Sequence, residues 1–215
     1  INGNLKSNAS QDDAWMDYPQ VAITNDELFV SGNQFRVNPQ DPTGFRAYGT
    51  AIWQISLSDG YNGNATLDFT GYRDLTLFSL SPTEAEPAIM GPEMYFISKG
   101  GSSGSNFGLY EITGTQSTAG TVFRREATLN TSGRYATAPN ARQPNSNNDP
   151  ARLLSTNDGR ILHALRVKNN LYGVFSSSVS NRPGLYLVKI SLSPLGSSFH
   201  SATSTLISST TLDMG

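Results

Sequence analysis

Cysteine is absent from the 215-residue chain, which excludes disulfides, thiolate metal sites and cysteine nucleophiles. An exported protein without cysteine fits a bacterial exoprotein better than a small eukaryotic ectodomain. Charge is sparse as well, with 15 Lys and Arg against 17 Asp and Glu and a net charge of −2. That balance argues against nucleic acid or an anionic membrane as partner, because both need clustered cations. No apolar run approaches the roughly 18 residues of a membrane span, and no basic stretch followed by an apolar one opens the chain. The two histidines, His163 and His200, are far apart, and no HExxH or GxSxG pattern occurs, which argues against a histidine zinc site or a Ser-His-Asp triad. His163, with Ile161, Leu165 and Val167 at the same strand parity, is expected to be a hydrogen-bonded core residue.

The residues that are plentiful, Ser, Thr, Asn and Gly, are those of soluble extracellular β-proteins. The stretch Asp17 to Phe35, DYPQVAITNDELFVSGNQF, spells a hairpin: alternating runs on either side of Asn25-Asp26, closed by Gly32-Asn33. A strand with Trp53, Ile55 and Leu57 on one face is expected over Ala51 to Leu57, followed by a turn at Ser58 to Asn64 and a further apolar alternation at Leu75 to Leu80. A second hairpin is expected from Ala88 to Met90 and Met94 to Ile97, with GGSSGSN at Gly100 to Asn106 as connector and a strand at Gly108 to Thr113. Further strands are expected at Ala151 to Leu154, Ile161 to Val167, Leu171 to Ser176 and Leu185 to Leu192, separated by Asn157-Asp158-Gly159 and Asn169-Asn170.

These landmarks repeat. Pro19, Pro87 and Pro150 each follow an acidic residue closely, and each is succeeded by a closing strand, Gly49 to Ser56, Gly108 to Thr113 and Gly184 to Ser191, in which a glycine stands two to four residues before an aromatic, Trp53, Tyr110 or Tyr186, with an aliphatic two residues after it. Three to four strands per unit, with no helical period between them, predict an all-β fold of the β-propeller type, with a β-sandwich as the alternative. About three blades are visible, at about 16–80, 84–138 and 149–192, and 196–215 reads as the start of a fourth. Three blades do not close a ring, so residues 1–215 are expected to be part of one larger propeller domain, processed or excerpted from a longer polypeptide.

The hairpin DYPQVAITNDELFVSGNQF, with GTAIWQISL and NDPARLLSTNDGRILHALRVKNNLYGVFSSSV, resembles a group of large secreted bacterial propeller proteins. In that group a "DYP" hairpin precedes a "DGRL…NG.LW" hairpin; here Asn170 stands where Gly is usual and Tyr172 where Trp is usual. The resemblance implies the fold, export and further blades on both sides. It implies no catalytic residue.

Sialidases share the architecture, but the nearest match to their S-x-D-x-G-x-x-W box, Ser155 to Arg160, has its Asp one place late and no Trp. Asp17, Asp74, Glu84, Glu86 and Asp149 are the carboxylates to test for a general acid/base pair, against their role as turn formers. No cofactor is required, though the oxygen-rich loop holding Asp59, Asn62 and Asn64 is a weak calcium candidate, as is Asn145 to Asp149. Trp15, Tyr18, Tyr48 and Tyr61 are the ligand-contact candidates among the aromatics of the first unit. The expected function is that of a secreted or cell-surface, non-catalytic binding or scaffold module contacting protein or glycan. A glycan-active hydrolase or lyase with residues outside this chain and a structural subunit of a surface assembly, paired with other chains or missing blades, are the alternatives.

Overall fold

The computed structural model describes residues 14–38, 40–74, 76–118, 123–144, 149, 152–192 and 201–208. Asn145 to Asn148, Pro150 and the predicted strand's first residue, Ala151, lie outside them. The fold is almost entirely strand: β1 (Ala14–Ile23), β2 (Glu27–Asn38), β3 (Asp41–Ser56), β4 (Phe69–Asp74), β5 (Ser81–Ala85), β6 (Met94–Lys99), β7 (Gly104–Ile112), β8 (Phe123–Tyr135), β9 (His163–Val167), β10 (Asn170–Val179), β11 (Arg182–Ser191) and β12 (Ser201–Ser208). One short helix, α1 (Leu57–Tyr61), and a 3-10 turn at Pro87–Ile89 are the only helical pieces among the described residues.

Two compact units divide the chain. One draws its residues from Ile1–Ser98 and Tyr110–Glu126, the other from Lys99–Leu109 and Ala127–Gly215. In the first, β1 to β4 form an antiparallel sheet in chain order. Its opening hairpin is the one read from the sequence: Ile23 faces Leu28 across Asn25-Asp26, and the buried Thr24 hydroxyl accepts from the Glu27 amide at 3.1 Å. The alternation places Ala22, Phe29 and Ile52 on an inner face, where they pack with Leu80, Met94, Phe96, Tyr110 and Ile112. The opposite face carries Val30, Ala51 and Trp53, flanked by Met16, Leu28 and Ile55.

Ladder irregularities have local causes. Tyr18-Pro19 forms a bulge between the Asp17 and Gln20 pairs, where Pro19 has no amide to give to the ladder and Tyr18 takes φ +57°. Across the sheet, Tyr48 and Gly49 together stand opposite the single residue Gln34 between the pairs Asn33–Thr50 and Phe35–Ala47. Gly49 meets this with φ +86°, open to glycine at no steric cost.

In the second unit, β9 to β12 run as consecutive antiparallel neighbours. Its core is a cluster of four fully buried rings. Phe107, Tyr135, Phe175 and Tyr186 come from β7, β8, β10 and β11, and all six ring pairs lie between 5.0 and 6.1 Å. The two hydroxyls are satisfied inside this unit: Tyr186 donates to the Gly133 carbonyl at 2.6 Å, and Tyr135 lies 3.0 Å from the Asn106 carbonyl.

Several predicted elements are corrected. Residues 88–90 are not a strand, because Pro87 starts a 3-10 turn; the partner of β6 is β5, paired through Ser81–Ile97 and Pro82–Phe96. Leu77 to Leu80 is irregular rather than extended pairing: Ser79 takes φ +59° and its amide donates to Asn33 Oδ1 at 2.6 Å, while Leu80 plugs the core. The strand of that region is β4. Leu57 leaves the face of Trp53 and Ile55 by starting α1. Leu154 makes only an isolated bridge with Ala141. The β9–β10 turn is Lys168-Asn169, one residue earlier than expected, with Lys168 at φ +53°. Strand β12 lies within the stretch read as a further unit and pairs with β11.

Candidate functional site

One end of the β1–β4 sheet concentrates aromatic side chains. Trp15 and Phe35 are directly opposed on β1 and β2 and stack at 5.8 Å with planes 23° apart. Phe78 meets Phe35 edge-on at 5.9 Å. Trp15 and Phe78 are each 38% exposed, whereas the other tryptophan, Trp53, is only 6% exposed. Two rings are thus presented to solvent, and the half-buried Phe35 between them fixes their spacing. Such a rigid, partly wet platform offers flat apolar faces with little conformational entropy left to lose on binding.

Phe35 and Arg36 are successive on β2 and point to opposite faces. On the second face Arg36 stands 4.0 Å from the Tyr48 ring centroid and Arg73, on β4, stands 3.8 Å from it. Two guanidinium groups thus lie over the Tyr48 ring, a cation–π cluster across three strands. Tyr48, a ligand-contact candidate from the sequence, is half-buried here and engaged with both arginines. Tyr18 is half-buried at the bulge near Trp15, and Tyr61 is 84% exposed on α1, at the opposite end of the sheet. The structure brings Trp15 together with Phe35 and Phe78, and leaves the other candidates apart. Phe78 is not among the aromatic candidates because it falls in the stretch Leu75 to Leu80, whose alternation predicts a strand, whereas it sits on the irregular crossing after β4.

The proposed calcium loop is held by its own side chains. Asp59 Oδ1 accepts from Asn64 Nδ2 at 3.0 Å and its Oδ2 accepts from the Asp68 amide at 2.9 Å. The Asn62 amide donates to the Ser58 carbonyl at 2.9 Å. Asn64 turns a donor, not its oxygen, toward the carboxylate, and no group of three His, Asp or Glu able to hold a metal occurs among the described residues. Asp59→Ala removes both acceptors and is expected to lower stability by about 1 kcal/mol in urea unfolding.

Of the other carboxylates named for acid/base chemistry, Asp17 lies within β1 opposite Asn33 and Glu84 within β5, while the remaining three sit at element ends or turns. Asp74 accepts from the Thr76 amide at 2.7 Å, Glu86 precedes the 3-10 turn, and Asp149 pairs with Arg152 at 3.6 Å. In the box-like turn, Asp158 accepts from its neighbour Arg160, so that carboxylate closes a loop. His163 is exposed, which corrects its expected place in the core: the inward residue of β9 is Ala164, 1% exposed, and His163 has the outward parity.

The sequence gives no sign of Glu27, which lies beside Asp26 in an ordinary turn. It is only 2% exposed. Its Oε1 accepts from the Gln116 amide at 2.8 Å, and its buried Oε2 has no hydrogen-bond partner among the described residues. Burial pushes its pKa up, with a smaller upward push from Asp26 and Asp59, against the Gln116 bond. Nearby, the Tyr72 hydroxyl donates to Gln54 Oε1 at 2.9 Å and Gln54 Nε2 donates to the Gly114 carbonyl at 3.1 Å. Burial, helped by the Glu27 charge, pushes the Tyr72 phenol up to about 12. The set is a polar latch by which β2, β3 and β4 hold the segment after β7.

No protein-family model matches the chain, and no curated protein is significantly similar to it in sequence.

Proposed function

We propose that this chain is part of a secreted or cell-surface β-propeller that binds glycans without catalysis, through the platform of Trp15, Phe35 and Phe78. The half-exposed ring stack carries this reading. Flat aromatic faces at a fixed spacing suit the apolar C–H faces of sugar rings, and Asp59, Asp74 and Asp158 are engaged in holding their own turns. The propeller part is supported by the recurrence of buried Trp53, Tyr110 and Tyr186 in β3, β7 and β11, every fourth strand of the chain. It is also supported by the two-sided apolar pattern of the β1–β4 sheet, whose outer face leaves Val21 58%, Ile23 39% and Phe69 53% exposed. A blade within a ring needs apolar residues on both faces, since a neighbouring sheet packs on each.

The test is retention of the protein on a panel of immobilised neutral and acidic polysaccharides, with Trp15→Ala and Phe78→Ala variants beside it. At least one polysaccharide is expected to bind and to perturb the exposed Trp15 fluorescence. Each variant is expected to lose affinity by about tenfold or more. A panel with no retention, or variants that bind as well as the wild type, sinks the reading.

A further inference from the structure

The second unit contains a groove of about 800 Å³ whose lining includes Pro139, Asn140, Asn181 and Pro183 together with Arg142 and Arg182. This volume falls in the usual range for small-molecule sites. We propose that the groove binds a small polar ligand carrying a carboxylate, sulfate or phosphate, held between the two guanidinium groups.

Three observations carry the inference. The first is charge: no carboxylate is among the described lining residues, so none of these neutralises the two cations. Other arginines of the same unit do have acidic partners, Arg152 with Asp149 and Arg160 with Asp158. The second is rigidity. Arg182 leaves the β10–β11 hairpin directly after the two-residue turn Ser180-Asn181, whose φ values of +50° and +60° are those of a tight type I′ turn, and it pairs with Val179. Arg142 follows Ala141, which is fixed to Leu154 by two backbone bonds of 2.8 and 2.9 Å. The third is chemistry. Two forked guanidinium donors suit the planar or tetrahedral oxygens of an anion, while Asn140, Ser180 and Asn181 add neutral hydrogen-bonding groups for the hydroxyls of whatever bears it.

Calorimetric titration of the whole chain at low ionic strength with sodium phosphate, sodium glucuronate and glucose tests this. Phosphate and glucuronate are expected to bind saturably and to weaken with added salt, and glucose is expected not to bind. Tighter binding of glucuronate assigns the site to an acidic sugar, and phosphate binding alone assigns it to a phosphorylated ligand. Arg142→Ala and Arg182→Ala are each expected to cost about tenfold or more. The Arg→Lys variants, which keep the charge and lose the fork, are expected to fall between these and the wild type, and remain informative where an Ala variant misfolds. Trp15→Ala is expected to leave the anion affinity unchanged, which separates this site from the aromatic platform. Absence of saturable binding by both anions, or undiminished binding by a folded Arg142→Ala/Arg182→Ala double variant, overturns the proposal.

Discussion

Phe107→Ala is expected to destabilise the chain by about 3–5 kcal/mol. Phe107 is 0% exposed and touches all three other rings of the second unit: Tyr135 at 5.4 Å, Phe175 at 6.1 Å and Tyr186 at 6.0 Å. Removing it opens a cavity that three stiff aromatic neighbours collapse into poorly, because each is pinned elsewhere. Phe175 stacks on Tyr186 at 5.0 Å, and the hydroxyls of Tyr135 and Tyr186 are tied to backbone carbonyls. The cost therefore includes the cavity as well as the lost transfer energy. Phe107→Leu, which keeps much of the volume, is expected to cost clearly less. Urea unfolding followed by near-ultraviolet circular dichroism reads both, since the packed rings generate the signal. Equal stability of Phe107→Ala and wild type would mean that the four rings do not form a packed core in solution.

The legible part of this fold is the part written in alternation. The first hairpin, β10 and β11 are long and alternate apolar with polar residues, so sequence and structure agree there. Strand β5 is SPTEA: its residues have no apolar alternation, and what pairs it to β6 is a backbone ladder supported by the Thr83 hydroxyl on the Tyr95 carbonyl at 3.1 Å. Strand β8 has no counterpart in the sequence reading, because its inward positions Leu129, Thr131 and Tyr135 include a threonine, and a period of two with polar members looks like coil. Thr131 earns its buried place through the Tyr186 hydroxyl, 2.7 Å away, a partner 55 residues distant that no local window contains. The same limit applies to function. Trp15 could be singled out as an exposed aromatic, but its grouping with Phe78, and the covering of Tyr48 by two arginines, depend on bulges and an irregular crossing that bring together residues far apart in the chain.

Glu27→Gln is expected to reshape the dependence of stability on pH. The folded-state pKa of Glu27 is raised above its ordinary value of 4.5, with burial as the first cause. Below that ordinary value the carboxyl is protonated in both states and costs nothing. As pH rises, the unfolded chain ionises first, so stability falls until the folded-state value is passed and stays lower at neutral pH. The glutamine variant has no such titration. Its Oε1 still accepts from the Gln116 amide, while its amide nitrogen stands where Oε2 finds no partner among the described residues, a fixed cost of about 1–3 kcal/mol that does not vary with pH. Subtracting wild-type from variant stability cancels the carboxylates that do not interact with Glu27, leaving its own titration and its smaller coupling to Asp26 and Asp59. The difference is therefore expected to move in favour of Glu27→Gln between about pH 4 and about pH 7, by more than 1 kcal/mol for each pKa unit of the raise, as read from urea midpoints and slopes across that range. A difference that is flat with pH would show that the Glu27 carboxylate is as well solvated in the fold as in the open chain. One that moved the other way would mean that a cation outside the described residues pairs with it.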